Sequence, residues 1–293
     1  MKRAAFSNPW MPLFLLIPQL SIIVIFFYWP ALQAVSSSFY LQDPFGFSSS
    51  FVGVDNYTNL FNNSEYIRVA GFTLLFTGSV TFFSLALGLL FAVKADKVLK
   101  GASSYKTLLM WVYAVAPPVA GLLGVSLFYQ NHGLLTQLFA LFGYEFIVGV
   151  NYNDTAIAMI IVSIWKQVPV NFIFFLSGLQ SVPRSIREAA IIDNNSGINR
   201  FWTITFPLLA PTSFFLLITN ITYALFDTFG VIDVMLRNEP GNNPFTLVYK
   251  VFVDGFRGND LGGSSAQSVI LMLLVLALTI FQFRLIERRI HYT

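Results

Sequence analysis

The chain has 293 residues, of which 56% are hydrophobic and only 11% charged, with 17 Lys and Arg against 14 Asp and Glu. A water-soluble domain carries about 25% charge, so this balance excludes one, and a net charge of +3 gives no nucleic-acid signature. The absence of Cys excludes disulfides and thiolate chemistry. The two histidines, His132 and His291, are far apart and argue against a zinc or di-metal centre.

In chain order, apolar runs of bilayer length cover 12–32, 69–93, 107–129, 155–178, 208–230 and 267–286. About 20 helical residues cross the hydrocarbon layer, and none of these runs alternates in polarity as a barrel strand does. The expectation is an all-α polytopic membrane protein with six transmembrane helices. Lys2 and Arg3 precede the first run, but it is longer than the apolar part of a cleaved signal and is read as an uncleaved anchor.

Cytoplasmic loops carry an excess of Lys and Arg, which orients the chain. Lys2, Arg3, Lys94, Lys97, Lys100, Lys106, Arg184, Arg187, Arg200, Arg284, Arg288 and Arg289 fall on one side; Arg68, Arg237, Lys250 and Arg257 fall on the other. Both termini are therefore expected in the cytoplasm, with Trp10, Tyr28, Trp29, Trp111, Tyr113 and Tyr223 as interfacial anchors. The outer stretches 33–68 and 231–266 carry turn signals such as Asp43-Pro44 and Gly241-Asn242-Asn243-Pro244 and read as loops.

Polar residues inside spans mark substrate paths. Span four holds Lys166, Gln167 and Asn171, with Pro169 removing the hydrogen bond to the Trp165 carbonyl. Span five holds Asn220, Tyr223 and Asp227 at i, i+3 and i+7, one helix face. Counted from the outer ends of these runs, Lys166 and Asp227 differ in height by roughly 12 Å, so the path reading leaves Lys166 unpaired. Asn220 comes out near its depth.

Between spans four and five, Pro183 and Ser185 can open a short helix that Asn194 to Gly197 can close, and a second helix around Ile198 to Phe206 ends at Pro207. Glu188, Ala189, Ala190 and Asp193, with Pro207 opening the next span, resemble the EAA loop of binding-protein-dependent ABC importer permeases. Asn194 stands where that family has Gly, and Asn is the non-Gly residue that best tolerates left-handed backbone.

The resemblance implies a type I ABC importer permease fold. It divides the chain into an N-terminal region at 1–66, a transmembrane core at 67–286 with a coupling loop at 180–207, and a cytoplasmic tail at 287–293. Glu188, Ala189, Ala190, Asp193, Asn194 and Gly197 would contact the ATPase. Implied partners are a second permease subunit, a cytoplasmic ATPase dimer that binds ATP and Mg, and a periplasmic substrate-binding protein, at the bacterial inner membrane. The strings Asp43 to Ser49, Val52 to Tyr57, Tyr113 to Pro118, Tyr223 to Phe229 and Ser265 to Ser268 resemble the branch of the family that imports sn-glycerol-3-phosphate.

No G-x-x-x-x-G-K-[ST] loop occurs, since no Gly precedes a Lys. The chain is accordingly expected to be no enzyme and to hold no cofactor. Two other readings compete. A permease for an uncharged sugar or oligosaccharide would share the plan, while an ion-coupled secondary transporter would need buried carboxylates in its spans. Asp227 is the one carboxylate inside the runs above.

Overall fold

The computed structural model describes residues 10–43, 48–96, 102–130, 132–193, 196–237 and 243–289. Its elements in chain order are helix α1 (Phe14–Ser37), strands β1 (Tyr40–Gln42) and β2 (Ser49–Phe51), and helices α2 (Asp55–Asn62) and α3 (Ser64–Asp96). Then come α4 (Ala102–Ala114), α5 (Pro117–Leu127), α6 (Leu134–Leu141), α7 (Tyr152–Ser181) and α8 (Arg184–Asp193). The chain closes with α9 (Gly197–Arg200), α10 (Ala210–Leu236), α11 (Leu247–Phe252) and α12 (Leu261–Arg289).

Five helices are long and apolar enough to cross a membrane, and a sixth span results if the bent pair α4–α5 counts as one. The expected unbroken span at 107–129 is thus corrected to two helices meeting at 102°. Pro117-Pro118 is the cause. A residue before proline avoids helical backbone, and Ala116 is extended at φ −62° and ψ 145°. Pro117 then opens α5, where its missing N–H costs nothing.

Two further boundaries differ from expectation. Helix α9 does not stop at Pro207; a π-turn over Phe201–Thr205 carries it to Leu208, and α10 begins after Leu209. The outer stretch read as a loop at 231–266 is largely helical, because α10 runs on to Leu236 and is succeeded by α11 and the start of α12. Of the expected turn Gly241-Asn242-Asn243-Pro244, the first two residues lie outside the described residues and Asn243 and Pro244 are in no helix. The 33–68 stretch likewise contains the β1–β2 hairpin, paired Tyr40 to Phe51 and Gln42 to Ser49, and helix α2.

The chain packs as two units, Met1–Tyr66 with Lys250–Ala277, and Ile67–Tyr249 with Leu278–Thr293. Within the first, Asn56 Nδ2 donates to the Ser38 carbonyl at 2.8 Å and the Tyr40 carbonyl at 3.1 Å, tying α2 to the hairpin. In the same unit Lys250 Nζ lies 3.1 Å from Asp254 and 3.5 Å from Glu65, and Gln267 Nε2 donates to Asp254 at 2.6 Å.

The second unit holds the core. Ala92, Ala95, Phe172, Phe175, Leu176, Leu179, Leu209 and Leu216 bury one another among α3, α7 and the start of α10. Lipid tails are as apolar as Leu, so close backbone approach and van der Waals packing take over the work of holding helices together. Gly121 on α5 faces the Val231 carbonyl of α10, and a Cβ there would sit 2.8 Å from it.

The start of α7 is stitched to the turn before it. The Asp154 carboxylate, fully buried, accepts from the Tyr144 hydroxyl at 2.7 Å and the Ile147 N–H at 2.9 Å, and Asn151 caps the helix through the Asn153 N–H at 3.0 Å. The hydrogen bond to Asp154 raises the Tyr144 hydroxyl above its ordinary pKa.

Candidate translocation site and coupling hairpin

Helix α7 brings Lys166, Gln167 and Asn171 to the interior; all three are buried. Their fates differ. Asn171 and Asn220 face each other across α7 and α10 and exchange side-chain hydrogen bonds, Asn171 Nδ2 to Asn220 Oδ1 at 3.0 Å and Asn220 Nδ2 to Asn171 Oδ1 at 2.6 Å. Ser84 on α3 donates to the same Asn220 oxygen at 2.8 Å, and Asn220 Nδ2 also reaches the Leu216 carbonyl at 2.6 Å. Gly88 makes room for this three-helix contact, since a methyl group there would overlap the Asn171 Cβ. The two amides hold helices together and direct their hydrogen bonds at each other.

Tyr223, expected as an interfacial anchor, is instead buried, and its hydroxyl donates to the Ser163 carbonyl of α7 at 3.1 Å. A π-turn over Tyr223–Asp227 starts there. The turn is wider than an α-helical one, and burial divides the three expected face residues. Asn220 and Tyr223 are buried while Asp227 is exposed.

Lys166 is 8% exposed, and its ammonium has no hydrogen-bond acceptor and no carboxylate within 4.0 Å among the described residues. Its one neighbour of note is the Tyr113 ring on α4, 5.9 Å from Nζ to centroid. Asp227 is near enough to act on Lys166 electrostatically without forming an ion pair. The expected height difference shrinks, because α10 extends to Leu236 and Asp227 is well inside it. The sequence marks Tyr113 only as an anchor; nothing in its spacing ties it to Lys166, because the bend after Ala114 sets its position.

The long helices also contain more carboxylates than the apolar runs of the sequence indicate. Asp154 and Asp233 both lie in them, Asp233 held by Arg237 and approached by the Tyr249 hydroxyl at 3.5 Å. Each is occupied by protein donors. No group of three His, Cys, Asp or Glu residues among the described residues is arranged to hold a metal ion.

At the end of α7, α8 and α9 form a hairpin. Glu188 and Ala189 are exposed, whereas Ala190 is buried and lines a cavity of about 630 Å³ with Val93, Leu179, Ile186 and Trp202. Ser196 caps α9, and Gly197 is its first residue and exposed. The backbone of Asp193 ends α8, and Asn194 lies outside the described residues. Ile198 and Trp202 are 76% and 56% exposed, a hydrophobic surface that a solitary hairpin has no use for.

Residues 2–292 match the family described as binding-protein-dependent transport system inner membrane component. The chain belongs to that family. It is a membrane component of a transport system and not an enzyme. It is 45% identical over 293 residues to the sn-glycerol-3-phosphate transport system permease protein UgpA of Brucella abortus, covering 100% of both chains. Against the protein of the same name from Escherichia coli (strain UTI89 / UPEC) it is 46% identical over 290 residues, 99% of this chain and 98% of the relative. Among solved structures, a bacterial ABC transporter involved in import of the acidic polysaccharide alginate superposes with a TM-score of 0.81 at 19% identity, over 96% of each chain. That likeness establishes the fold.

Proposed function

We propose that this chain is one permease subunit of an ATP-driven importer that moves sn-glycerol-3-phosphate across the bacterial inner membrane by alternating access. The observation that carries the substrate is identity of 45% along the whole of a relative that bears that name. Lys166 supports it chemically. A buried cation with no protein carboxylate bound is costly in a membrane, and a phosphate group is the anion that an ammonium point charge accepts.

In this reading six spans form when α4 and α5 count as one, both termini are cytoplasmic, and a second permease subunit completes a heterodimer. A periplasmic binding protein delivers substrate, and a separate ATPase dimer binds ATP and Mg. The exposed Glu188, Ala189, Ile198 and Trp202 meet the ATPase, with Asp193 ending α8 and Gly197 opening α9, and buried Ala190 lets α8 lie close to its own core. Of the path residues, Lys166, Gln167 and Asp227 are free to face substrate, while Asn171, Asn220 and Tyr223 set the walls.

The test is uptake by the complete complex in proteoliposomes with loaded binding protein. Glycerol phosphate uptake that requires ATP is expected, and Lys166→Gln should lower it about tenfold or more with binding-protein-stimulated ATP hydrolysis retained. Uptake of an uncharged sugar in its place would overturn the substrate. Uptake driven by an ion gradient with no copurifying ATPase would overturn the class.

A further inference from the structure

We propose that the second unit carries a groove for one acyl chain of an anionic phospholipid, with Lys94 and Lys106 taking the headgroup at its mouth. The groove, of about 400 Å³, runs between α3, α4 and α7 and is walled by Phe83, Leu87, Phe91, Leu109, Val112 and Trp165, among other apolar residues.

Helix periodicity places the cations. On α3, Phe83, Leu87 and Phe91 recur at i, i+4 and i+8, and Lys94 continues that stripe three residues on. On α4, Lys106 lies one turn before Leu109. Each cation lies one turn from a wall residue, Lys94 beyond Phe91 towards the C-terminal end of α3 and Lys106 before Leu109 towards the N-terminal end of α4.

Lys94 is exposed and Lys106 half-buried, and neither has a hydrogen-bond or ion-pair partner among the described residues. From Phe83 to Phe91 the apolar stripe is about 12 Å long at 1.5 Å per residue, a stretch of tail rather than of headgroup. Basic residues at the mouth of a pocket between spans bind lipid phosphates. Charge complementarity therefore selects an anionic lipid over a neutral one.

The assembled transporter, purified from bilayers with equal phosphatidylglycerol and phosphatidylcholine, is read by native mass spectrometry for retained lipid. Phosphatidylglycerol should be held in excess. Lys94→Gln and Lys106→Gln should each cut that excess about fivefold, the worth of about 1 kcal/mol per cation at an anionic surface, with phosphatidylcholine unchanged. Val112→Trp should displace tail-bound lipid of both kinds. Equal retention of the two lipids, or an excess that survives the double lysine variant, would overturn the proposal. So would efficient disulfide cross-linking, under an added thiol oxidant, of Val112→Cys to a cysteine introduced in a helix of the second permease subunit in the intact complex.

Discussion

Two polar sites on one helix, Lys166 and Asn171, are little more than a turn apart on α7 and have opposite surroundings. Asn171 meets a partner of identical chemistry, Asn220, so that each amide donates to and accepts from the other, and Ser84 and the Leu216 carbonyl fill remaining valences. Lys166 meets an aromatic ring and, among the described residues, no acceptor. In hydrocarbon a polar group is expensive unless satisfied. A group satisfied by its own chain is architecture, and one left waiting is available to a ligand.

The largest expected disturbance of this contrast is Gly88→Val. The added atoms meet the Asn171 Cβ and backbone, neither of which can yield, so the α3–α7 contact opens and folded complex should be nearly absent on size-exclusion chromatography. The effect of Lys166→Gln is different in kind, since uptake falls while assembly is kept.

Next comes Asn171→Leu. It takes the Asn171 amide from the buried Asn220, which keeps Ser84 and the Leu216 carbonyl, and interhelical hydrogen bonds in membranes are worth about 1–2 kcal/mol at most, so thermal stability of the purified complex should fall by a few degrees. Adding Asn220→Leu removes the half-satisfied amide and should restore part of that loss with transport intact. A double variant that assembles but fails to transport would move the pair from architecture to path.

Glu188→Lys tests the other end of the unit. Reversing an exposed charge on α8 should weaken coupling several-fold, seen as ATP hydrolysis that no longer responds to binding protein, with little effect on membrane insertion. The smallest effect is expected from Tyr223→Phe, which removes one hydrogen bond to the Ser163 carbonyl. A net loss of about 1 kcal/mol or less in stability and near-normal uptake are expected; a large uptake defect would mean that the hydroxyl serves substrate.

The α8–α9 segment is readable from sequence because its signals are local. Pro183, Glu188 and Gly197 mark helix ends through backbone chemistry that needs no distant partner, and the structure places α8 at Arg184–Asp193 as that chemistry demands. What the hairpin does with Ala190 is not readable in the same way. Ala189 and Ala190 are identical in sequence, and burial of the second in a cavity wall with Leu179 and Val93 depends on how α8 lies on the unit.

The path residues show the same division. Sequence by itself determined that this chain lives in a bilayer, that its spans are helices and which residues in them are polar, because composition, length and periodicity act within a few turns of chain. Tertiary structure alone decided that Asn171 closes on Asn220, that Tyr223 reaches Ser163, that Tyr113 lies beside Lys166, and that Asp227 is exposed where Asn220 and Tyr223 are buried. Hydrogen bonds between spans join residues 49 to 136 positions apart. Which polar group finds a partner is therefore settled by helix packing, which no short-range pattern encodes.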